Sequence, residues 1–366
     1  MRFKLKSLIA TAVAIAICLF SVGCSSGRTP DISPHLIAEA EQAPVRPIDD
    51  REGVALSALP ESMTDADYRE RISELYSIVA YDKKRPVFDG ENDPAKAVYD
   101  GARAVLDRYV LNEWHGTADG EYNIVHAVHD YLVCNVDYDF DLYDRFKDGE
   151  SELESDPAFH IDGAFIYKTA VCDGLARAFV FLCAIEGIDA VRVTGSLASV
   201  PHAWNKVKIG GEWYNADVTA DAAHYTVGGK RYKQLSHGYF LVSDRTIAEF
   251  KPQTHVFAAQ PYTAIADFDY YADKSVYIDG KPYSLTVKSY AELEQLFRAI
   301  KHAGDIGKIE LELKYPEKVQ VNYADLYKRD IERAYGAFGN TDFGFSDGGA
   351  PYFRYPNGVY LFLFYK

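Results

Sequence analysis

Gly210-Gly211 stands between two apolar runs, and this pair constrains the fold more than any other feature of the chain. Residues 204–209 and 212–217 read as two strands, and adjacent glycines between such runs predict a tight hairpin turn. A turn centred on the pair matches residues whose numbers sum to 421, so Asp217 faces Trp204 and His202 faces Thr219. All four side chains then point to one side of the sheet. His202 and Asp217 become diagonal neighbours, roughly 7–8 Å apart at the backbone. A slip of one residue would send them to opposite faces.

Upstream, Leu175, Ala178, Phe179, Leu182 and Cys183 recur at helical spacing. They form one apolar face of a helix that opens at Cys172 and stops near Gly187. A thiol in a first turn meets the positive end of the helix dipole, which favours thiolate over a free-thiol pKa of about 8.5. A cysteine nucleophile needs a base to take its proton, and the base needs a third group to orient it. Cys172, His202 and Asp217 supply these three types in order. Asp221 and His224 compete for the last two places, but Asp221 falls beyond the predicted strand. Asp173 reads as an early-helix acid that interacts with the dipole.

Several ordered blocks resemble the transglutaminase-like superfamily, the papain-like cysteine enzymes. They are V-C-D-G-L-A-R-A-F at 171–179, G-I at 187–188, V-T-G at 193–195, H-A-W at 202–204 and W-Y-N-A-D-V-T at 213–219. Residues 129–139 look like the family's lead-in helix, and the resemblance covers roughly 120–250. It implies an α+β fold of the papain-like kind: a helical lead-in, then a β-sheet carrying His and Asp. It maps the family's Cys, His and Asp onto Cys172, His202 and Asp217. The family holds crosslinking acyltransferases, peptidases, amidases and inactive members, so it implies a reaction class rather than one reaction.

The rest of the chain supplies context. Residues 1–23 read as a secretory leader, with Arg2, Lys4 and Lys6 before an apolar run. Gly23-Cys24 at its end resembles the lipobox of bacterial lipoproteins, with Ser21 departing from the usual aliphatic residue. The expectation is lipidation at Cys24 and a protein held on the outer face of the cell membrane, or secreted. Residues 24–60 then read as anchor and linker, with Pro30, Pro34, Pro44 and Pro47. The net charge of −15 argues against a nucleic-acid partner. The 28 tyrosines read first as packing residues, and otherwise as a surface for peptides or glycans. Cys172 and Cys183 would stand about 16 Å apart along one helix, too far for a disulfide. Cys134 and Cys183 read as core residues, with a bridge between them left open.

Residues 61–255 are expected to form the catalytic domain with its N-terminal helices. Ser62 or Thr64 caps a helix to about Tyr76, Asp93-Pro94 opens a second, and 124–132 lies on a third. His126 and His129 on that third helix read as hydrogen-bonded or surface groups rather than metal ligands. The acid-rich segment 137–156 reads as a solvated loop, with a calcium site as the minor alternative. Residues 238–244 read as a further strand. Residues 262–366 are expected to be a separate, smaller α+β domain, with helices over 289–304 and 326–335 and a last strand at 359–365. It shows no nucleophile–base constellation.

The expected activity is extracytoplasmic cysteine-dependent acyl transfer on amide or peptide bonds, with no cofactor and no metal. Water or an amine resolves the thioester, and the substrate is a peptide, protein or cell-wall component. Trp204 is expected beside the triad, either as a cleft wall or as a core residue behind it. The alternative function is a surface binding or scaffold module without useful chemistry.

Overall fold

The computed structural model describes residues 47–60, 62–151, 153–227, 230–250, 253–302, 308–315, 352–354 and 359–365. The predicted leader, Cys24, the linker up to residue 46 and the helix predicted over 326–335 lie outside the described residues. The chain divides into two compact units, Ser26–Ala222 with Tyr239–Phe268, and Ala223–Gly238 with the C-terminal residues from Asp269. This differs from the boundary read in the sequence. Residues 223–238 group with the second unit, and 256–268 stay with the first.

In the first unit, residues 47–60 are packed rather than free linker. Ile48 is buried, and β1 (Gly53–Ala55) pairs in parallel with β2 (Arg85–Val87). Helix α1 (Asp65–Tyr76) starts at Thr64, whose hydroxyl accepts the Asp67 N–H while the Asp67 carboxylate accepts the Thr64 N–H. This reciprocal cap satisfies two donors that a helix start leaves unpaired. Helix α2 (Pro94–Tyr109) opens at Asp93, with proline in its first turn. Arg71 of α1 forms a buried ion pair with Asp93 and so ties the two helices together. Helix α3 (Ala118–Asn135) is capped by Thr117.

The family-like segment 129–139 is helical only to Asn135. Asp137–Tyr138 (β3) instead pairs in parallel with Thr169–Ala170 (β4), the residues that lead into Cys172. The acid-rich stretch is not a plain loop either. Asp139 accepts the Leu142 N–H and caps α4 (Phe140–Lys147), and Leu142 packs with Leu153, Ala158 and Val171. One apolar anchor and one cap outweigh the surrounding charge.

Helix α5 (Cys172–Ile185) is the centre of the unit. It packs against α3 on one side and the sheet on the other. The sequence pattern marks one apolar face, but Val180, Phe181, Ala184 and Ile185 are buried as well. A helix apolar all round belongs inside a core. The sheet consists of β5 (Ala190–Leu197), β6 (Val200–Ile209) and β7 (Glu212–Ala216), then two short strands from later in the chain. Gly210 and Gly211 both take positive φ, 57° and 87°, as a tight hairpin turn with matching twist requires. The register pairs Asn205 with Ala216 and Lys206 with Asn215, the register read from the sequence. Strand β7 ends one residue early, however. Asp217 caps a short helix, α6 (Val218–Asp221), by accepting the Ala220 N–H. That local bond competes with strand continuation, so Thr219 does not pair with His202.

The chain then leaves the unit through β8 (Ala222–Val227) and β9 (Lys230–Leu235), which pair with each other. It returns at β10 (Phe240–Val242), beside β7, runs through α7 (Asp244–Glu249), and closes the far edge with β11 (His255–Phe257) beside β5. The order β10-β7-β6-β5-β11 is antiparallel throughout.

The second unit is also α+β. Strands β12 (Ser275–Ile278) and β13 (Lys281–Ser284) form a hairpin. Helix α8 (Tyr290–His302) buries Leu293, Leu296, Phe297 and Ile300. Strand β14 (Lys308–Lys314), β15 (Tyr352–Arg354) and β16 (Val359–Tyr365) make an antiparallel sheet with β16 in the centre. Among the described residues no helix is long and apolar enough to cross a membrane, and no disulfide joins Cys134 to Cys183.

Candidate active site

Cys172 occupies the first position of α5, after an extended Val171. Val171 is held by a hydrogen bond from its N–H to the Ala158 carbonyl, 3.0 Å. Cys172 is half-buried. His202 lies near the start of β6 and hydrogen-bonds the Cys172 side chain. Its Nε2 donates to Asp217 Oδ2 at 2.7 Å, which leaves Nδ1 as the ring nitrogen for the thiol. Asp217 follows β7 directly and is fully buried. Cys172, His202 and Asp217 therefore form one hydrogen-bonded chain, drawn from a helix start, a strand and a strand end.

The electrostatics follow from burial and charge together. Burial alone disfavours an imidazolium at His202. The Asp217 charge, its hydrogen bond and the Cys172 contact outweigh that penalty and push the His202 pKa up to about 10. For Asp217, burial alone would raise the pKa. The facing histidines more than reverse this and hold it well below the usual carboxylate range.

Two further residues join the site that sequence reasoning did not single out. The first is Tyr138 on β3, whose pairing with Ala170 brings it beside the start of α5. Its hydroxyl hydrogen-bonds Cys172 at both the backbone amide and the side chain. Burial first, and the neighbouring Cys172 next, raise the Tyr138 pKa. V-D-Y-D at 136–139 reads in sequence only as the end of a helix. The second is His255 on β11, whose Nε2 donates to Asp217 Oδ2 at 2.8 Å. Its three-residue strand is too short for a periodicity signal.

Trp204 shares the face of His202 and is only 1% exposed. It does not form an open cleft wall. Its indole N–H is taken by Asn215 Oδ1 at 3.1 Å, and its ring stacks on His202 and meets His255 edge-on. It supports the imidazole from behind. Gly195 makes this packing possible. It lies between His202 on β6 and Phe257 on β11. A Cβ there would lie 1.9 Å from the Val256 carbonyl oxygen and 3.0 Å from the Trp204 ring.

Asp221 serves elsewhere. It accepts from His129 Nε2 at 3.0 Å and from the Tyr239 N–H at 2.9 Å, and so fixes the end of α6 against α3 and β10. His129 Nδ1 faces Asp130 at 3.0 Å, a hydrogen-bonded role. His224 lies on β8, in the second unit. Asp173 pairs with Arg177 and Arg192. His202, Asp217 and His255 offer ligand-type atoms within 4.8 Å of one another, and both ring Nε2 atoms meet Asp217 at Oδ2.

The family model for the transglutaminase-like superfamily matches residues 108–218. Among solved structures, the chain is similar to a TGase at 18% identity, covering 42% of this chain and 38% of that one, with a TM-score of 0.30. It is also similar to a proposed cysteine protease from Cytophaga hutchinsonii at 20% identity, covering 36% of this chain and 43% of that one, with a TM-score of 0.24. The chain thus spans less than half the length of either structure. No curated protein sequence matches it.

Proposed function

From the premise that residues 108–218 are a transglutaminase-like domain, we propose that this protein is a cysteine acyl-transfer enzyme acting on amide or peptide bonds outside the cytoplasm. The observation that carries the reading is the chain from the half-buried Cys172 through the buried His202 to the buried Asp217.

In the reaction, the thiol proton passes to His202 Nδ1 as Sγ attacks the carbonyl carbon. Asp217 keeps the ring oriented and stabilises its cation. The negative oxygen that develops takes the place beside the Cys172 N–H and the Tyr138 hydroxyl, both donors at the helix start. The C–N bond breaks as His202 delivers its proton to the leaving amine. A thioester on Cys172 remains. Water or a second amine then attacks it, gives up a proton through His202 to the departing Sγ, and yields an acid or a new amide. The leader and Cys24 support an address at the outer membrane face. Peptides, glutamine-bearing proteins and cell-wall peptides are the amides available there.

The test is the purified full chain against Cys172→Ala, with a glutamine peptide and a labelled primary amine, following amine incorporation and acid release together. Either product from the native protein, lost by at least about 10³-fold in the variant, is the expected result. The ratio of the two products assigns transamidation or hydrolysis. Turnover that survives Cys172→Ala would remove the nucleophile.

A further inference from the structure

Asp217 carries one more donor than a Cys-His-Asp chain requires. Its Oδ1 accepts the Ala220 N–H at 3.0 Å, and its Oδ2 accepts both His202 Nε2 at 2.7 Å and His255 Nε2 at 2.8 Å. Two imidazoles therefore share one oxygen. They come from β6 and β11, which flank β5 on either side. They meet diagonally across β5, where Gly195 opposite His202 has no side chain and His255 pairs with Leu197.

His255 has nothing else to do with its polar atoms. Its side chain is 0% exposed, and Nδ1 is buried without a hydrogen-bond partner. A carboxylate only accepts, so the ring's N–H is on Nε2 and points at Asp217. The ring is held by Trp204 at 5.1 Å, His202 at 5.6 Å and Tyr239 at 5.3 Å between centroids. An unsatisfied buried nitrogen costs stability, and an apolar residue of similar size would avoid that cost. The bond to Asp217 is what the imidazole provides here.

We propose that His255 is a positioning residue for His202: its Nε2–H fixes the Asp217 carboxylate and competes for the oxygen that His202 uses, so it limits how tightly His202 holds its proton. The proposal rests on the acyl-transfer reading above. A general acid must release its proton to the leaving amine, and a carboxylate with one partner would hold the imidazolium more strongly. The titratable groups that face the pair are Cys172, Asp217 and Tyr239. On the adjacent α7, Asp244 is engaged by Lys206, Asn215 and Gln260, and Glu249 by Arg245.

The experiment is alkylation of Cys172 by iodoacetate between pH 6 and 11 in the full chain, with labelling of Cys172→Ala subtracted and each variant's thermal melt recorded. The anionic reagent is drawn by the His202 cation, so its rate falls as His202 deprotonates. His255→Phe removes the donor and keeps a ring. Its alkaline limb is expected to move up by about 0.5–1 unit, the effect of one hydrogen bond. His255→Gln keeps an N–H at the Nε2 position, and the limb is expected to return to the native pH. If the phenylalanine variant does not melt cooperatively, His255→Asn, whose shorter amide cannot reach Asp217, carries the same expectation. A folded donor-less variant with the native limb, or equal shifts in the donor-less and glutamine variants, overturns the proposal. A native limb that is unchanged in His202→Ala would instead overturn the acyl-transfer reading, and this proposal with it.

Discussion

The proton of His202 is the most informative single feature of the molecule. The folded pKa is raised to about 10, above the ordinary imidazole value of about 6.5. A raised histidine contributes stability that is fully present below the unfolded value and is lost as pH rises through the folded one. The His202–Asp217 bond therefore contributes fully near pH 6 and fades between about 6.5 and 10. Denaturant melts of the native chain and Asp217→Asn across that range are expected to converge as pH rises. A gap that widens instead would contradict the assignment. Of the residues at this site, Cys172, His202 and Asp217 were legible because a helix start and a hairpin register fix them by arithmetic. Tyr138 and His255 were not. Each sits on a strand of two or three residues, and only pairing with a distant strand brings it to the site.

At the scale of elements, the geometry depends on how β11 and β6 flank β5. Gly195 is the point of closest approach, and its Cβ contact with Val256 is with backbone, which cannot rotate away. Gly195→Ala is expected to push β11 outward, lower stability by about 1–3 kcal/mol and loosen His255 from Asp217. Hydrogen exchange would show this as faster exchange at 255–257 with α5 unchanged. Exchange that is equal in both proteins would show that the strand absorbs the methyl group. Local rules served well where one device decides the outcome. The Thr64 cap, the Asp93-Pro94 start and the Gly210-Gly211 turn all stand where the pattern put them. They failed where two devices compete. Asp217 could continue β7 or cap α6, and capping wins. The acidic stretch is solvated, as its charge predicts, yet Asp139 and Leu142 make part of it the helix α4.

For the whole molecule, the class of fold was legible and the partition of the chain was not. Composition along 223–238 gives no sign that this hairpin leaves the first unit and groups with the second, because strand patterns look alike in either unit. The proposed lipidation at Cys24 predicts a physical property of the intact protein. Expressed in a bacterium, the full chain is expected to partition into a detergent phase, and Cys24→Ser to shift it to the aqueous phase. Equal partition of both would contradict lipidation. The central claim remains the covalent step, and intact mass spectrometry reads it directly. The native chain is rapidly quenched in acid after mixing with an activated acyl ester or glutamine peptide. The account predicts one added acyl group, mapped to Cys172, released by hydroxylamine and absent from Cys172→Ala. An unmodified Cys172 in a protein that is turning over substrate, or an adduct that persists in Cys172→Ala, would contradict it.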